Sequence, residues 1–397
     1  MANNNDKKVL NVPALRFPEF SGEWEKYVLT EFVERVTRRN KGNECKLPLT
    51  ISAQYGLVDQ ITFFNKIIAS DDMSNYYLLT NGDFAYNKSY SSEYPWGAIK
   101  RLDRYEYGAL SSLYICFRPL NHVSSDFLTH YFETKKWHQG ISEIAVEGAR
   151  NHGLLNIGIQ DFFATKHYLP QSILEQEKIA CFLNLIEERI RLQNKIIEDL
   201  KKLKCAIIEK LYSKIQGKEY SYGQLFDVVN ERNKQMEYYN ILSASQEKGM
   251  VNRDDLNLDI QFERSNINTY KIVRKGDYVI HLRSFQGGFA FSDKLGVCSP
   301  AYTILRPNSL LEYSYLSYYF TSQRFIKSLI IVTYGIRDGR SINVEEWLNM
   351  KVVIPSKEHQ LHTLNVLKRI DDKVENEEKY ATCLSNQKQY LLRQMFI

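Results

Sequence analysis

Residues 172–212 read SILEQEKIACFLNLIEERIRLQNKIIEDLKKLKCAIIEKLY, and this stretch decides the fold. Apolar residues recur mostly at gaps of four and three: Ile179, Leu183, Ile186, Ile190, Ile197, Leu200, Ile207 and Leu211. That spacing lines one side of a helix as a heptad seam, broken only by Gln193 and Lys204. Gln171, Ser172, Glu175 and Glu177 supply the polar and acidic residues that favour a helix start, and no proline or glycine interrupts the run before Gly217. At about 1.5 Å per residue the stretch makes a rod of roughly 60 Å, which suits a spacer or a docking strut.

The other end of the chain carries a second seam within Glu358–Met395: Leu367, Ile370, Val374, Ala381, Leu384, Leu391 and Met395. One constant shift lays the first helix on the second without a gap. Leu183 falls on Leu367, Ile186 on Ile370, Ile190 on Val374, Ile197 on Ala381 and Leu200 on Leu384. The breaks also coincide, Gln193 with Glu377 and Lys204 with Lys388. Two helices that share both seam and breaks read as an internal duplication.

The echo extends beyond the helices. The run Glu34-Arg35-Val36-Thr37-Arg38-Arg39-Asn40-Lys41 returns as Asp227-Val228-Val229-Asn230-Glu231-Arg232-Asn233-Lys234. Gly82-Asp83-Phe84 returns as Gly276-Asp277-Tyr278, and Gly108 to Arg118-Pro119 returns as Gly296 to Arg306-Pro307 at the same internal spacing. Gly148-Ala149-Arg150 matches Gly335-Ile336-Arg337, and Pro170 matches Pro355. Between Leu47 and Pro170 short aromatic and β-branched runs such as Tyr76–Leu79 and Leu113–Phe117 predict strands. Ser124–Lys136 predicts a helix, with Tyr315–Ile326 as its counterpart, while Pro13 and Pro18 keep the N-terminal stretch non-helical. The expected fold is α+β: two homologous mixed α/β domains separated by an antiparallel two-helix coiled coil. The segments are 1–20 (extension), 21–170 (first domain), 171–215 (first helical region), 216–355 (second domain) and 356–397 (second helical region).

Composition narrows the class. The 397 residues are 44% hydrophobic and 25% charged, ordinary for a globular protein, with a net charge of +5 that permits a nucleic-acid partner. No apolar run reaches the roughly 18 residues of a membrane span, and the polar start Met1–Lys8 lacks the core of a signal peptide, so the expected location is cytoplasmic. The six cysteines form no Cys-x-x-Cys pair and are expected to be reduced, with no zinc site. His359 and His362 stand one turn apart without an evident third ligand.

The chain resembles the specificity (S) subunit of type I restriction-modification systems over nearly its whole length. The resemblance rests on Leu15-Arg16-Phe17-Pro18-Glu19-Phe20 with Trp24, the paired Gly-Asp turns, the Arg283-Ser284-Phe285-Gln286-Gly287-Gly288 loop, and the Gly-x-Arg loops. Each proline followed by a glutamine-led heptad run (Gln176, Gln360) adds to it. It implies two target-recognition domains held apart by the helix pair, each reading one half of a split double-stranded DNA site. It further implies docking of two modification subunits that methylate adenine N6, and of restriction subunits. S-adenosylmethionine, ATP and magnesium would belong to those partners, with no cofactor and no catalytic residue in this chain. A pseudo-twofold strut would present similar faces to two copies of one partner.

The residues themselves agree with a non-catalytic reader. Ser299-Pro300-Ala301-Tyr302 approaches the amino-methyltransferase loop but has the wrong third position, and its mate Ser111-Ser112-Leu113-Tyr114 reads as plain strand. No glycine-rich cofactor loop precedes it, and no Walker loop or nuclease triad is evident. A fused methyltransferase and a DNA-free coiled-coil scaffold stand as alternatives. For DNA contact, Arg150 and Arg337 sit in matched Gly-flanked loops where a guanidinium can fork onto guanine, with Arg340 close by. Arg283, Ser284 and Gln286 form a further loop, opposite Lys88, Ser89 and Tyr90 in the first half, and Lys100, Arg101 and Arg104 make a basic cluster. Gln193/Glu377 and Lys204/Lys388 either fix the register of the seam or face solvent or a partner.

Overall fold

The computed structural model describes residues 10–66, 68–91, 93–145, 155–245, 248–255, 264–281, 288–334 and 341–397. Two compact units divide the chain, Met1–Gln193 with Tyr380–Ile397, and Asn194–Lys379. Both long helices form, Ile173–Ser213 and Lys357–Gln394. Each contributes one portion to each unit.

In the first unit, a four-stranded sheet has the order Val33–Arg35, Ile115–Pro119, Phe84–Asn87, Ala98–Arg101. A second has the order Gly56–Asp59, Pro48–Ser52, Tyr107–Leu110, Tyr77–Thr80. Glu25–Val28 pairs with Lys166–Leu169. The core joins Trp24, Phe84, Phe117, Phe127 and Phe162 to Ile179 and Leu183 of the first long helix and Leu391, Met395 and Phe396 at the end of the second. Glu187 meets Lys388, and Arg189 donates to the Tyr380 hydroxyl, so the two helices run antiparallel here. The described part of the N-terminal stretch, residues 10–20, is non-helical as expected. Phe17 packs edge-on to Phe182 at 5.8 Å, and Arg16 and the Trp24 indole both donate to the buried Glu175.

In the second unit, the four-stranded sheet has the order Phe226–Val229, Thr303–Pro307, Tyr278–Ile280, Phe289–Phe291. The other strands make two-stranded pairs, Leu242–Ser245 with Gly249–Asn252, Lys271–Val273 with Gly296–Cys298, Thr333–Tyr334 with Ser341–Ile342, and Lys218–Ser221 with Lys351–Ile354. Tyr222, Phe226, Tyr278, Phe320 and Trp347 form the core with Ile208 and Tyr212 from the first long helix and Leu367 from the second. Lys201 pairs with Glu378 and Lys204 with Asp371, again an antiparallel run. Of the seam residues, Leu183, Ile197, Leu367, Val374, Leu384 and Leu391 are buried, and Ile186, Ile190, Leu200 and Ile370 half-buried.

The echoed sequence anchors turn out to be scaffold. Gly82 and Gly276 sit at φ +90° and +95°, a left-handed turn that a Cβ would strain. The turn aims the buried Asp83 and Asp277 inward. Asp83 accepts from the Thr80 amide and the Arg118 guanidinium, and Asp277 from the Arg274 amide and the Arg306 guanidinium. Asn40 closes a loop by bonding both the amide and the carbonyl of Cys45, as Asn233 does with Tyr238.

Three local expectations are corrected. The helix expected over Ser124–Lys136 spans only Ser125–Tyr131, because the Thr134 hydroxyl and Trp137 indole take the Tyr131 and Phe132 carbonyls that further helix would use. The helix expected over Tyr315–Ile326 is two, Tyr315–Tyr319 and Gln323–Ser328. Ser322 breaks it by capping the Phe325 amide. Ser111–Tyr114 is a turn, with the Tyr114 amide bonded to the Ser111 carbonyl, and the strand begins at Ile115. No described helix is long and apolar enough to cross a membrane.

Candidate nucleic-acid interface

The loops that carry Arg150, Arg283, Ser284, Gln286, Arg337 and Arg340 lie outside the described residues. The sites around them are described. Thr333–Tyr334 and Ser341–Ile342 pair antiparallel on either side of residues 335–340, with Ile330, Ile331 and Tyr334 exposed nearby in sequence.

In the first unit, Lys88, Ser89 and Tyr90 follow the strand Phe84–Asn87, and Asn87 accepts from the Ser89 amide. Tyr90 is 57% exposed and Ser89 exposed, with Lys88 half-buried. The basic cluster is split in its roles. Arg101 is held by Asp103 at 2.6 Å and Asp126 at 2.7 Å with the Ser125 hydroxyl, and Lys100 lies 3.6 Å from Glu133. Both are largely withdrawn from solvent, so they brace the strand end. Arg104 is exposed and makes no hydrogen bond or ion pair with another described residue. It lines, with Tyr55, a cleft of about 220 Å³.

The sequence reading missed an aromatic group beside that cleft. Tyr55 and Phe63 meet at 6.3 Å, and Phe63 and Phe64 at 5.0 Å, all edge to face and all exposed. They stand on the turn between Pro48–Ser52 and Gly56–Asp59 and on the short helix Gln60–Phe64, which Asp59 caps. Exposed flat rings next to an unpaired guanidinium are chemically suited to stack on bases.

His130, Glu133 and Glu187 bring three donor atoms within 4.8 Å of one another. The cation there is the chain's own: the Lys388 ammonium bonds Glu133 at 2.7 Å and Glu187 at 2.5 Å. Burial opposes it, yet the Lys388 and Lys100 ammonium groups hold the Glu133 carboxyl below its ordinary value. Burial likewise opposes, and the two carboxylates outweigh, so that Lys388 is raised. The seam lysines therefore have partners, Lys204 in Asp371 and Lys388 in Glu187 and Glu133, and Gln193 is buried.

The outward faces of the long helices differ. On the first, Leu174, Cys181, Leu185 and Leu192 recur every seven or four residues and are exposed, which lays an apolar stripe on one side. A groove of about 490 Å³ runs beside it, lined by Asp126, Cys181, Asn184 and Leu185. The matching positions of the second helix, Glu358, Asn365, Arg369 and Asn376, are exposed and polar. The expectation of similar faces for two copies of one partner is thus not met at these positions.

No protein-family model matches the sequence, and none of the curated proteins does. Solved structures do. One belongs to work on complex assembly and conformational transition of the type I R-M system; it has a TM-score of 0.58 at 16% identity and covers 94% of this chain and 97% of its own. A type I restriction-modification S subunit from M. genitalium has a TM-score of 0.51 at 15% identity, covering 97% of this chain and 99% of its own. At such identities the likeness is one of fold, and the chain folds as a type I restriction-modification S subunit does.

Proposed function

We propose that this protein is the sequence-recognition subunit of a type I restriction-modification complex. Its two domains, related by duplication, each read one half of a split double-stranded DNA site, and the helix pair sets the gap between the halves. The chain performs no chemistry itself and works in the cytoplasm. Modification subunits supply adenine methylation with S-adenosylmethionine, and restriction subunits supply ATP-driven cleavage with magnesium. The observation that carries the reading is the S-subunit fold over nearly all of both chains.

The site chemistry is consistent with it. Arg104, Lys88 and Tyr90 with the Tyr55–Phe63–Phe64 group offer charge, donors and stacking surface on the first unit. Arg150, Arg283, Ser284, Gln286, Arg337 and Arg340 are assigned to DNA by their loops in the sequence. One domain can make only a few base contacts, each worth about 1–3 kcal/mol of discrimination, so joining two sets multiplies selectivity. The apolar stripe on the first long helix is assigned to a modification subunit. The test is a gel shift on duplexes carrying the methylated motif, run across salt. A reader loses affinity steeply as log salt rises and prefers its motif at every salt. Salt-independent or motif-independent binding refutes the proposal.

A further inference from the structure

We infer that each domain is fixed to its long helix by a two-point polar clamp, and that the clamp glutamines and their partners are positioning residues for the gap between half-sites. The inference rests on the split-site reading above.

The geometry is matched in the two units. At the first point a buried glutamine near the start of the long helix staples the loop that leads into a short domain helix. Gln176 Oε1 accepts from the Ser124 amide at 2.9 Å, and its Nε2 donates to the Pro170 carbonyl at 2.9 Å. Gln360 Oε1 accepts from the Glu312 amide at 2.8 Å, and its Nε2 donates to Leu310 at 3.0 Å and Pro355 at 3.1 Å. The second point lies two to three helical turns on, about 12–16 Å along the long helix. There the far end of the short domain helix is tied. His130 Nε2 meets Asn184 Oδ1 at 2.8 Å, and its Nδ1 stands 3.6 Å from Glu187. In the second unit, the Tyr318 hydroxyl, just inside Tyr315–Tyr319, donates to Asp371 at 2.7 Å. Each acid is held in turn by a lysine of the other long helix, Glu187 by Lys388 and Asp371 by Lys204.

The surface between the two points is apolar, with Phe127 and Tyr131 sharing a core with Ile179 and Leu183, and Tyr315 and Leu316 sharing one with Leu364 and Leu367. Apolar contact is non-directional and tolerates tilt, whereas a buried amide or carboxylate must keep its partner. Two such bonds two to three turns apart remove the tilt. A small tilt at the helix becomes a displacement at the far side of a domain, where DNA is read. Gln176 and Gln360 also explain why a glutamine follows each proline in the sequence.

The test uses the second unit, where Tyr318→Phe removes one hydroxyl without changing shape and Gln360→Leu removes the other point. The whole chain carries spin labels at Cys205 and at Tyr239→Cys, with Cys45, Cys181 and Cys383 replaced by serine. The unaltered clamp gives one narrow distance; the double variant gives a broadened one, and restoring Gln360 in the Tyr318→Phe chain narrows it again. In the assembled complex, lengthening the gap by one base pair costs the wild type roughly 100-fold in affinity and the double variant roughly 10-fold or less, at unchanged half-site preference. An unbroadened distance overturns the clamp, as does an equal loss on all gap lengths. If the wild type selects no split site, the functional reading fails and the label distances alone decide the clamp.

Discussion

Replacing Lys388 by methionine removes the largely buried cation that bridges Glu133 and Glu187. The side chain is 16% exposed and bonds Glu133 and Glu187, which are 25% and 38% exposed. Methionine keeps the unbranched apolar stem and drops only the ammonium end, so the loss is mainly electrostatic. Breaking a buried pair by removing one partner costs about 3–5 kcal/mol; the partial exposure here and the remaining Lys100, 3.6 Å from Glu133, reduce this to roughly 2–3 kcal/mol at pH 7. Lys204→Met is the control. That lysine is 29% exposed, its acid 37%, and the structure gives it one carboxylate, so its loss costs about 1 kcal/mol. The pH dependence separates charge from packing. In the wild type, the depressed Glu133 carboxyl contributes stability that is present above its unfolded pKa and is lost as pH falls through the folded value. Without Lys388, burial dominates and Glu133 takes up its proton at higher pH, so the penalty of the variant shrinks as pH falls from 7 towards 4. Urea unfolding followed by tryptophan fluorescence reads it, since Trp24, Trp96 and Trp137 lie in the first unit and Trp347 in the second. A smaller cost than that of Lys204→Met, or a cost that grows on acidification, refutes the reasoning.

Further outcomes follow from the same geometry. His167 is buried between the Tyr131 and Thr165 hydroxyls, and burial holds its pKa down to about 4. The neutral ring therefore contributes stability that is present above the ordinary histidine value and is lost as pH falls towards 4, up to about 3 kcal/mol. Unfolding of the first unit should show that slope, and His167→Gln should flatten it. Arg104→Ala should leave melting unchanged and weaken DNA binding, lowering the salt slope by about 1 if it meets a phosphate. Arg101→Ala should lower the melting temperature of the first unit, since it strands Asp103 and Asp126. Removing one heptad from each long helix, residues 190–196 and 374–380, shortens the strut by about 10 Å, so the preferred gap should shrink by about three base pairs. An unaltered gap in a binding-competent variant would argue against a ruler.

Much of the fold was legible because it rests on local periodicity. The seam gave both long helices to within a residue or so at either end, since nothing inside them competes with helical bonding. The echoed Gly-Asp and Asn anchors were legible as repeats, though not as scaffold; their arginine partners stand 29 to 35 residues away in sequence. The short domain helices were over-extended because side chains such as Thr134 and Ser322 end them, and their competing bonds leave no periodic trace. The site was harder. Lys100, Arg101 and Arg104 look alike in sequence, yet the first two are claimed by Glu133 and Asp126, which lie on or just after the helix Ser125–Tyr131. The Tyr55–Phe63–Phe64 group was missed because a turn and a short helix bring together residues that share no period. The seam lysines left two readings open in the sequence, and only the fold supplies their acids.

The most direct test of the account is unbiased selection of DNA by the chain assembled with its modification subunits, read as the motif of the bound and methylated duplexes. The account predicts two short conserved blocks separated by a fixed run of unspecified bases. A single contiguous motif, two blocks at variable separation, or no enrichment over input would contradict it.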